Sequence, residues 1–410
     1  MYMRYWDYNL KVRLIGEAMF NLLYWMYFPF IALYFSMELG NHVAGLLMTV
    51  PPIISMLGSL IGGSLADSLG RRPMMLVGST LQAMMFIAFA MSWSPWLDYL
   101  AFIGIGLGGA MYRPPSAAMV ADLIPESERR QVFATFTTAK NIGAVLGPGL
   151  GAIFFFQYRS ELLWTCAIVL LAYTFAIFFI VRETKPNSVH EKASIGTIII
   201  QQWKEYHIIL RDKIFAIYLL AGVFFVVTVM QLDLYLPVYF VEHVPSQTLI
   251  HWNDWSFNLT GTEAFGWILG LNGLLFVLFV LPVTKWLKNW KERDVFILSS
   301  SISGIGMLAL GFHTNIWYLF IVTIIFTFGE LMRSPVMESF VSHYAPPDAR
   351  GKYIGADNLQ YTIGRFLAPI TVFLSEWVEP MGILGLLFIF SLISVFLYSR
   401  LFKMYQAIDN

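Results

Sequence analysis

Apolar residues occupy twelve long blocks along the chain, separated by shorter polar or charged stretches. Six run from Val12 to Phe35, Ala44 to Ser64, Met74 to Trp93, Leu97 to Ala121, Val132 to Phe156 and Leu162 to Val181. After a polar interval, six more run from Ile214 to Val241, Ala264 to Val283, Val295 to Phe312, Ile316 to Val341, Tyr353 to Leu374 and Met381 to Leu401. At about 1.5 Å of rise per helical residue, about 20 apolar residues cross a hydrocarbon layer about 30 Å thick. The pattern therefore predicts an all-α integral membrane protein with twelve transmembrane helices. The first block is too long for a cleavable signal, and no small-residue cleavage pattern follows it.

The basic residues set the expected orientation. Nearly all lysines and arginines flank the blocks on one side, labelled inner here; Arg159 is the outer exception, and Arg113, Lys140, Arg333 and Arg365 lie inside blocks. By the positive-inside rule both termini are cytoplasmic in a multi-pass plasma-membrane protein. The longest inner polar stretch, Arg182 to Lys213, divides the chain into residues 1–182, a linker at 183–213 and residues 214–410, with six blocks on each side. Its semi-apolar piece, Ile195 to Tyr206, is expected along the membrane surface. The halves repeat weakly: Gly109, Arg113, Pro115 and Arg130 correspond to Gly329, Arg333, Pro335 and Arg350, and Gly143 and Pro148 to Gly364 and Pro369.

Composition narrows the function classes. Hydrophobic residues make up 58% and charged residues 13%, against about 45–50% and about 25% for soluble domains. With 26 basic and 26 acidic residues there is no net field to attract nucleic acid. The single cysteine, Cys166, excludes an intrachain disulfide. His243 and His251 in the outer loop at 242–262 lack a third ligand, so no metal site is expected. No phosphate-binding loop or hydrolase motif occurs, so no ATP-driven or hydrolytic chemistry and no cofactor is expected.

The loop between the second and third blocks reads Gly63-Ser64-Leu65-Ala66-Asp67-Ser68-Leu69-Gly70-Arg71-Arg72-Pro73. Gly70 permits a tight turn, Arg71 and Arg72 anchor the inner side, and Asp67 can take a cation or a helix N-terminus as partner. This loop resembles the signature G-x-L-A-D-x-x-G-R-R of the major facilitator superfamily. The resemblance implies two six-helix bundles, alternating access, and a conformational latch formed by Gly63, Asp67, Gly70, Arg71 and Arg72. Gly143, Gly147, Pro148 and Gly151 in the fifth block resemble the family's antiporter motif, with Ala152 replacing its last glycine. Small residues at this spacing also suit plain helix packing.

A closer resemblance, to proton-coupled multidrug antiporters of Gram-positive bacteria, rests on Gln231-Leu232-Asp233 before Leu236-Pro237-Val238, and on Gly329-Glu330 before Ser334-Pro335. It implies roles in proton coupling or cationic substrate binding for Asp233 and Glu330, and a bacterial membrane. Two departures stand out: the family's arginine before the glycines of the fourth span is replaced near Leu100, and no acid occurs at Thr135 to Thr137.

A charge at mid-membrane costs at least about 2.5–3.5 kcal/mol, so Glu17, Arg113, Lys140, Asp233, Glu330, Arg333 and Arg365 each require a partner, water or a cavity. Glu330 lies about 16 Å along its span and shares a helix face with Arg333. Pairing would hold it ionised, and separation would let it take a proton. Asp233 falls about 28 Å along its span, near the outer end, and Glu17 about 8 Å from the inner end. Glu17, Asn21 and Tyr24 form a polar face for which Arg113 is a candidate partner. Lys140 and Arg365 could receive an anionic group or neutralise an acid such as Asp357.

The expected function is proton-coupled export of lipophilic or amphiphilic compounds, with Glu330, Asp233 and Glu17 as proton carriers and Asn21, Tyr24, Arg113, Lys140, Arg333 and Arg365 as cavity or ion-pair residues. The alternatives are a proton symporter or facilitator importing a nutrient, an exporter of one specific solute such as a sugar, lipid or siderophore, or a membrane-embedded receptor or enzyme that has lost transport. The expected partners are a small-molecule substrate, protons and membrane lipids, with no nucleic acid, and the protein is expected to work as a monomer.

Overall fold

A computed structural model describes residues 7–184, 209, 211–253, 255–346 and 349–409. The piece expected along the surface, Ile195 to Tyr206, lies outside the described residues, as does most of the linker. The described residues are helical almost throughout. In the first half come α1 (Tyr8–Tyr27), α2 (Ile31–Leu39), α3 (Asn41–Leu47), α4 (Val50–Leu69), α5 (Arg71–Met91), α6 (Pro95–Leu123), α7 (Glu126–Gln157) and α8 (Arg159–Phe179). In the second half are α9 (Lys213–Val229), α10 (Tyr235–His243), α11 (Gly261–Trp286), α12 (Glu292–Ala309), α13 (Ile316–Tyr344), α14 (Arg350–Leu367), α15 (Ile370–Leu374) and α16 (Pro380–Asp409).

These helices form twelve rods, because four rods are broken. Proline explains the breaks: it has no N–H to donate, and its ring crowds the carbonyl four residues back. Pro29 lies in the 3₁₀ turn between α1 and α2, Pro369 sits between α14 and α15, and Pro237 follows the 3₁₀ turn Met230–Leu232 that separates α9 from α10. The break between α3 and α4 immediately precedes Pro51 and Pro52. Among the described residues, eight helices or helix pairs are long and apolar enough by themselves to cross a membrane. The outer loop holds one element the apolar pattern did not show, an antiparallel hairpin of β1 (Gln247–Trp252) and β2 (Trp255–Leu259) with a bulge between Thr248 and Ile250. Gln247 ties it to the start of α13, its Nε2 donating to Thr314 O and its Oε1 accepting from Ile316 N.

The chain divides into two compact units. One contains residues 1–28 and 50–201; the other contains 29–49 and 202–410. The segment 29–49 was expected within a bundle spanning 1–182, but the break at Pro29 lets α2 and α3 join the second unit, where Asn41 Nδ2 donates to Glu242 Oε1 at 3.1 Å.

In the first unit, α4 lies on α6 and α7 on α1 through glycines. A Cβ at Gly62 would stand 2.6 Å from Met111 Cα, and one at Gly143 2.6 Å from Leu22 N, so only hydrogen fits at either position. Gly143 and Gly147 of the expected antiporter motif both pack on α1, at Leu22 and Trp25. In the second unit, Phe215, Tyr218, Phe296, Phe340 and Tyr398 form a buried aromatic core near the inner end. Asp212 clasps that end. Its carboxylate caps α9 by accepting from Ile214 N and Phe215 N, and it also accepts from Tyr344 OH at 2.8 Å and Tyr353 OH at 2.9 Å. Burial, reinforced by this bond to a carboxylate, raises the Tyr344 phenol above its ordinary range.

Gly143→Val is expected to force α7 away from α1 and lower the melting temperature of the detergent-solubilised protein. Gly149→Ala, where a Cβ meets nothing within 4 Å, should leave it unchanged; equal effects would show that the close approach at Gly143 is unimportant.

Candidate functional site

In the first unit the polar centre lies between α1, α6 and α8. Glu17 accepts from Arg13 Nη2 at 2.6 Å, from Ser116 Oγ at 2.8 Å and from Tyr112 OH at 3.5 Å. Tyr112 in turn hydrogen-bonds Tyr173, whose ring lies over α1 where Gly16 leaves room. The Arg13 and Glu17 side chains are only 3% and 10% exposed. The Arg13 guanidinium also lies 5.1 Å from the Phe136 ring centroid. Two charges removed from water to this degree need each other, and Glu17 has further donors in Ser116 and Tyr112 while Arg13 has the Phe136 ring.

The cation against Glu17 is thus Arg13, four residues back on the same helix, rather than the expected Arg113. The i,i+4 spacing of Arg13 and Glu17 was the available signal, since such pairs share a helix face. Arg113 and Asn21 instead line an adjoining cavity of about 430 Å³ with Arg13, Glu17, Phe20 and Phe136. Tyr24 is not among its lining residues and stacks on Phe28 at 4.6 Å. The side chain of Lys140 lies outside the described residues.

The latch residues come together at the inner ends of α4 and α5. Asp67 and Arg71 form an ion pair at 2.5 Å, and Arg71 Nε reaches Asp122 at 3.4 Å. Gly70 adopts φ +115°, which favours glycine. Glu183 accepts from the backbone N–H groups of Arg71 and Arg72 at 2.9 and 3.1 Å, supplying acceptors to the start of α5. Arg72 donates to Phe178 O. Gly63 has ordinary contact with Pro114 and no special crowding. No sequence signal singled out Glu183, because its partner is backbone 112 residues away.

In the second unit, Glu330 and Arg333 on α13 do not pair with each other. Arg333 is 2% exposed; its Nη2 donates to Gln360 Oε1 at 2.8 Å, and its guanidinium lies 4.3 Å from the Phe225 centroid and 5.3 Å from those of Phe296 and Tyr398. An aromatic cage satisfies a delocalised cation through the ring faces, and that draws Arg333 away from Glu330. Half-buried Glu330 turns to α11 and accepts from Asn272 Nδ2 at 3.3 Å, while the same Nδ2 donates to Thr327 Oγ1 at 2.9 Å. Asn272 was legible as an amide in an otherwise apolar block but was not singled out.

Asp233 sits at the break between α9 and α10, with Oδ1 buried and without a hydrogen-bond partner among the described residues. Arg365 and Glu330 are both within its electrostatic range. Asp357, an acid that Arg365 or Lys140 could neutralise, accepts from Gln360 Nε2 at 2.5 Å. Gln231, two residues before Asp233, braces the breaks in two rods: its Nε2 donates to Val227 O and Ala368 O, and its Oε1 accepts from Thr371 Oγ1. The Asp233 carboxylate therefore stands beside unwound backbone, as groups that bind ions within membranes often do.

Replacing Arg13 by Met is expected to strand Glu17 and cost about 3–5 kcal/mol of stability. The double variant Arg13→Met/Glu17→Met should recover most of that loss in thermal unfolding; additive losses would show that the two side chains do not depend on each other.

Comparison with known proteins agrees with this layout. A family model described as Major Facilitator Superfamily matches residues 14–252 and 248–404. The chain is 38% identical over 412 residues, covering 98% of it and 97% of the relative, to a protein of Planococcus maritimus named "Na(+), Li(+), K(+)/H(+) antiporter". It is 24% identical to the multidrug resistance protein MdtH of Cronobacter sakazakii, over 86% of this chain and 82% of that one. A crystal structure of a POT family transporter in complex with 5-aminolevulinic acid shares the fold at a TM-score of 0.75 and 17% identity, covering 98% and 96% of the two chains.

Proposed function

Because the chain belongs to the major facilitator superfamily, and is thus a multi-pass membrane transporter and not an enzyme, we propose that it exchanges protons for a monovalent metal cation. The observation that carries this reading is the pairing of Glu330 with a neutral amide instead of a fixed cation. A carboxylate committed to an arginine has its charge already met. One that faces the neutral Asn272 amide can be neutralised either by a proton, which leaves that amide where it is, or by a small hard cation, for which the amide would turn to present its oxygen in place of Nδ2. Competition of the two ions for one carboxylate, on opposite sides of the membrane in turn, is the requirement for exchange. Asp233, beside the break in its rod, is the second carboxylate on this path. The Planococcus relative's name supports a metal cation over the lipophilic compounds that the residues alone favoured.

Proton-coupled export of an amphiphilic compound is the second reading. The cavity of about 430 Å³ in the first unit favours it, as does the similarity to MdtH.

Everted vesicles carrying an imposed pH gradient, read with a pH-sensitive dye, test both. Sodium, lithium or potassium chloride should collapse the gradient where choline chloride does not, and Glu330→Gln should abolish that collapse. The half-saturating cation concentration should rise as the pH falls, because protons compete for the same carboxylate. Asn272→Leu should raise it as well, by removing the amide that would turn its oxygen to the cation. Collapse by a lipophilic cation with no response to the metal chlorides would favour the second reading.

A further inference from the structure

Arg113 is a charge inside a span of the first unit that no ion pair among the described residues meets. It lies about 15 Å from Leu123 at the inner end of α6, which is near mid-membrane, and its side chain is exposed. Among the described residues it makes no hydrogen bond or ion pair, whereas Arg13 and Glu17, the other described charges at the cavity, neutralise each other at 2.6 Å. Among the described residues that line the cavity, Arg113 is thus the cation without an ion-pair partner. Its remaining wall is largely apolar, with Phe20, Val120, Phe136 and Leu170, and its volume of about 430 Å³ falls within the range of about 300–1,000 Å³ found for small-molecule sites.

We propose that this cavity binds an amphiphilic anion, with its carboxylate or phosphate oxygens on the Arg113 guanidinium and the apolar body against the aromatic wall. A guanidinium presents parallel N–H groups that match the two oxygens of a carboxylate. In a site partly withdrawn from water, that match also favours an anion over a cation of the same shape. The occupant is either a free aromatic or aliphatic acid or an anionic lipid head group. Both present a pair of anionic oxygens to Arg113.

The test is calorimetric titration of the purified protein, without any ion gradient, so that its outcome is independent of exchange activity. The probes are 2-naphthoate, a naphthyl-trimethylammonium of matched size, and naphthalene-methanol. Saturable binding of naphthoate in preference to the other two is expected, with binding weakened about tenfold or more by Arg113→Gln and partly retained by Arg113→Lys. Unchanged melting temperatures of the variants would separate this loss from misfolding. In nanodiscs, loss of naphthoate binding on adding phosphatidylglycerol to phosphatidylcholine would identify the lipid as occupant, and unchanged binding would identify a free acid. Preference for the ammonium probe, absence of naphthoate binding, or full binding by folded Arg113→Gln would each overturn the proposal.

Discussion

An ionised group inside a membrane must find its counter-charge or its donors within the bundle, and most of the polar architecture of this transporter follows from that constraint. The units meet it in different ways. In the first, Arg13 and Glu17 neutralise each other within one helix, and Ser116 and Tyr112 supply further donors. In the second, Arg333 is received by three aromatic rings and Gln360, so it needs no carboxylate. Sequestering Arg333 leaves Glu330 with a neutral partner, and a carboxylate in that condition can exchange one positive ion for another. The environment of Glu330 thus depends on where its neighbour three residues away finds its own stabilisation.

The same constraint applies to the backbone. Proline interrupts the rods near Phe28, Asp233 and Ala368, and each interruption frees carbonyls that have no water to meet them. Gln231 takes up two of these carbonyls from separate rods. Its neighbour Asp233 is thereby held at a place where the helix is unwound and its carboxylate is only partly satisfied. At the inner end, Asp212 joins the ends of three helices through two tyrosine hydroxyls and a helix cap. Glu183 does similar work for the signature loop by accepting from the start of α5. Each of these clasps uses an acid at a helix terminus, where the exposed N–H groups favour negative charge.

The apolar blocks alone determined the helical membrane fold and its twelve rods, because spanning a hydrocarbon layer requires a fixed length of uninterrupted apolar helix whatever the contacts. The signature around Asp67 and Gly70 was equally legible, since it is local in sequence and depends on a turn that glycine permits. The acids at Glu17, Asp233 and Glu330 stood out for the same reason, as charges in apolar surroundings. The tertiary structure alone decided their partners. Helical spacing allowed Glu330 to meet Arg333 and left Glu17 open to Arg113, but a side chain chooses among neighbours brought from remote segments. Phe225, Phe296, Gln360 and Tyr398 won Arg333, and Asn272 took Glu330. Arg13 was near Glu17 in sequence, yet its claim became clear only when Ser116 and Tyr112 closed around the pair and left Arg113 to the cavity. Apolar pattern fixes the fold because burial is non-directional and local in its periodicity, whereas the pairing of charges is directional and depends on which helices pack together.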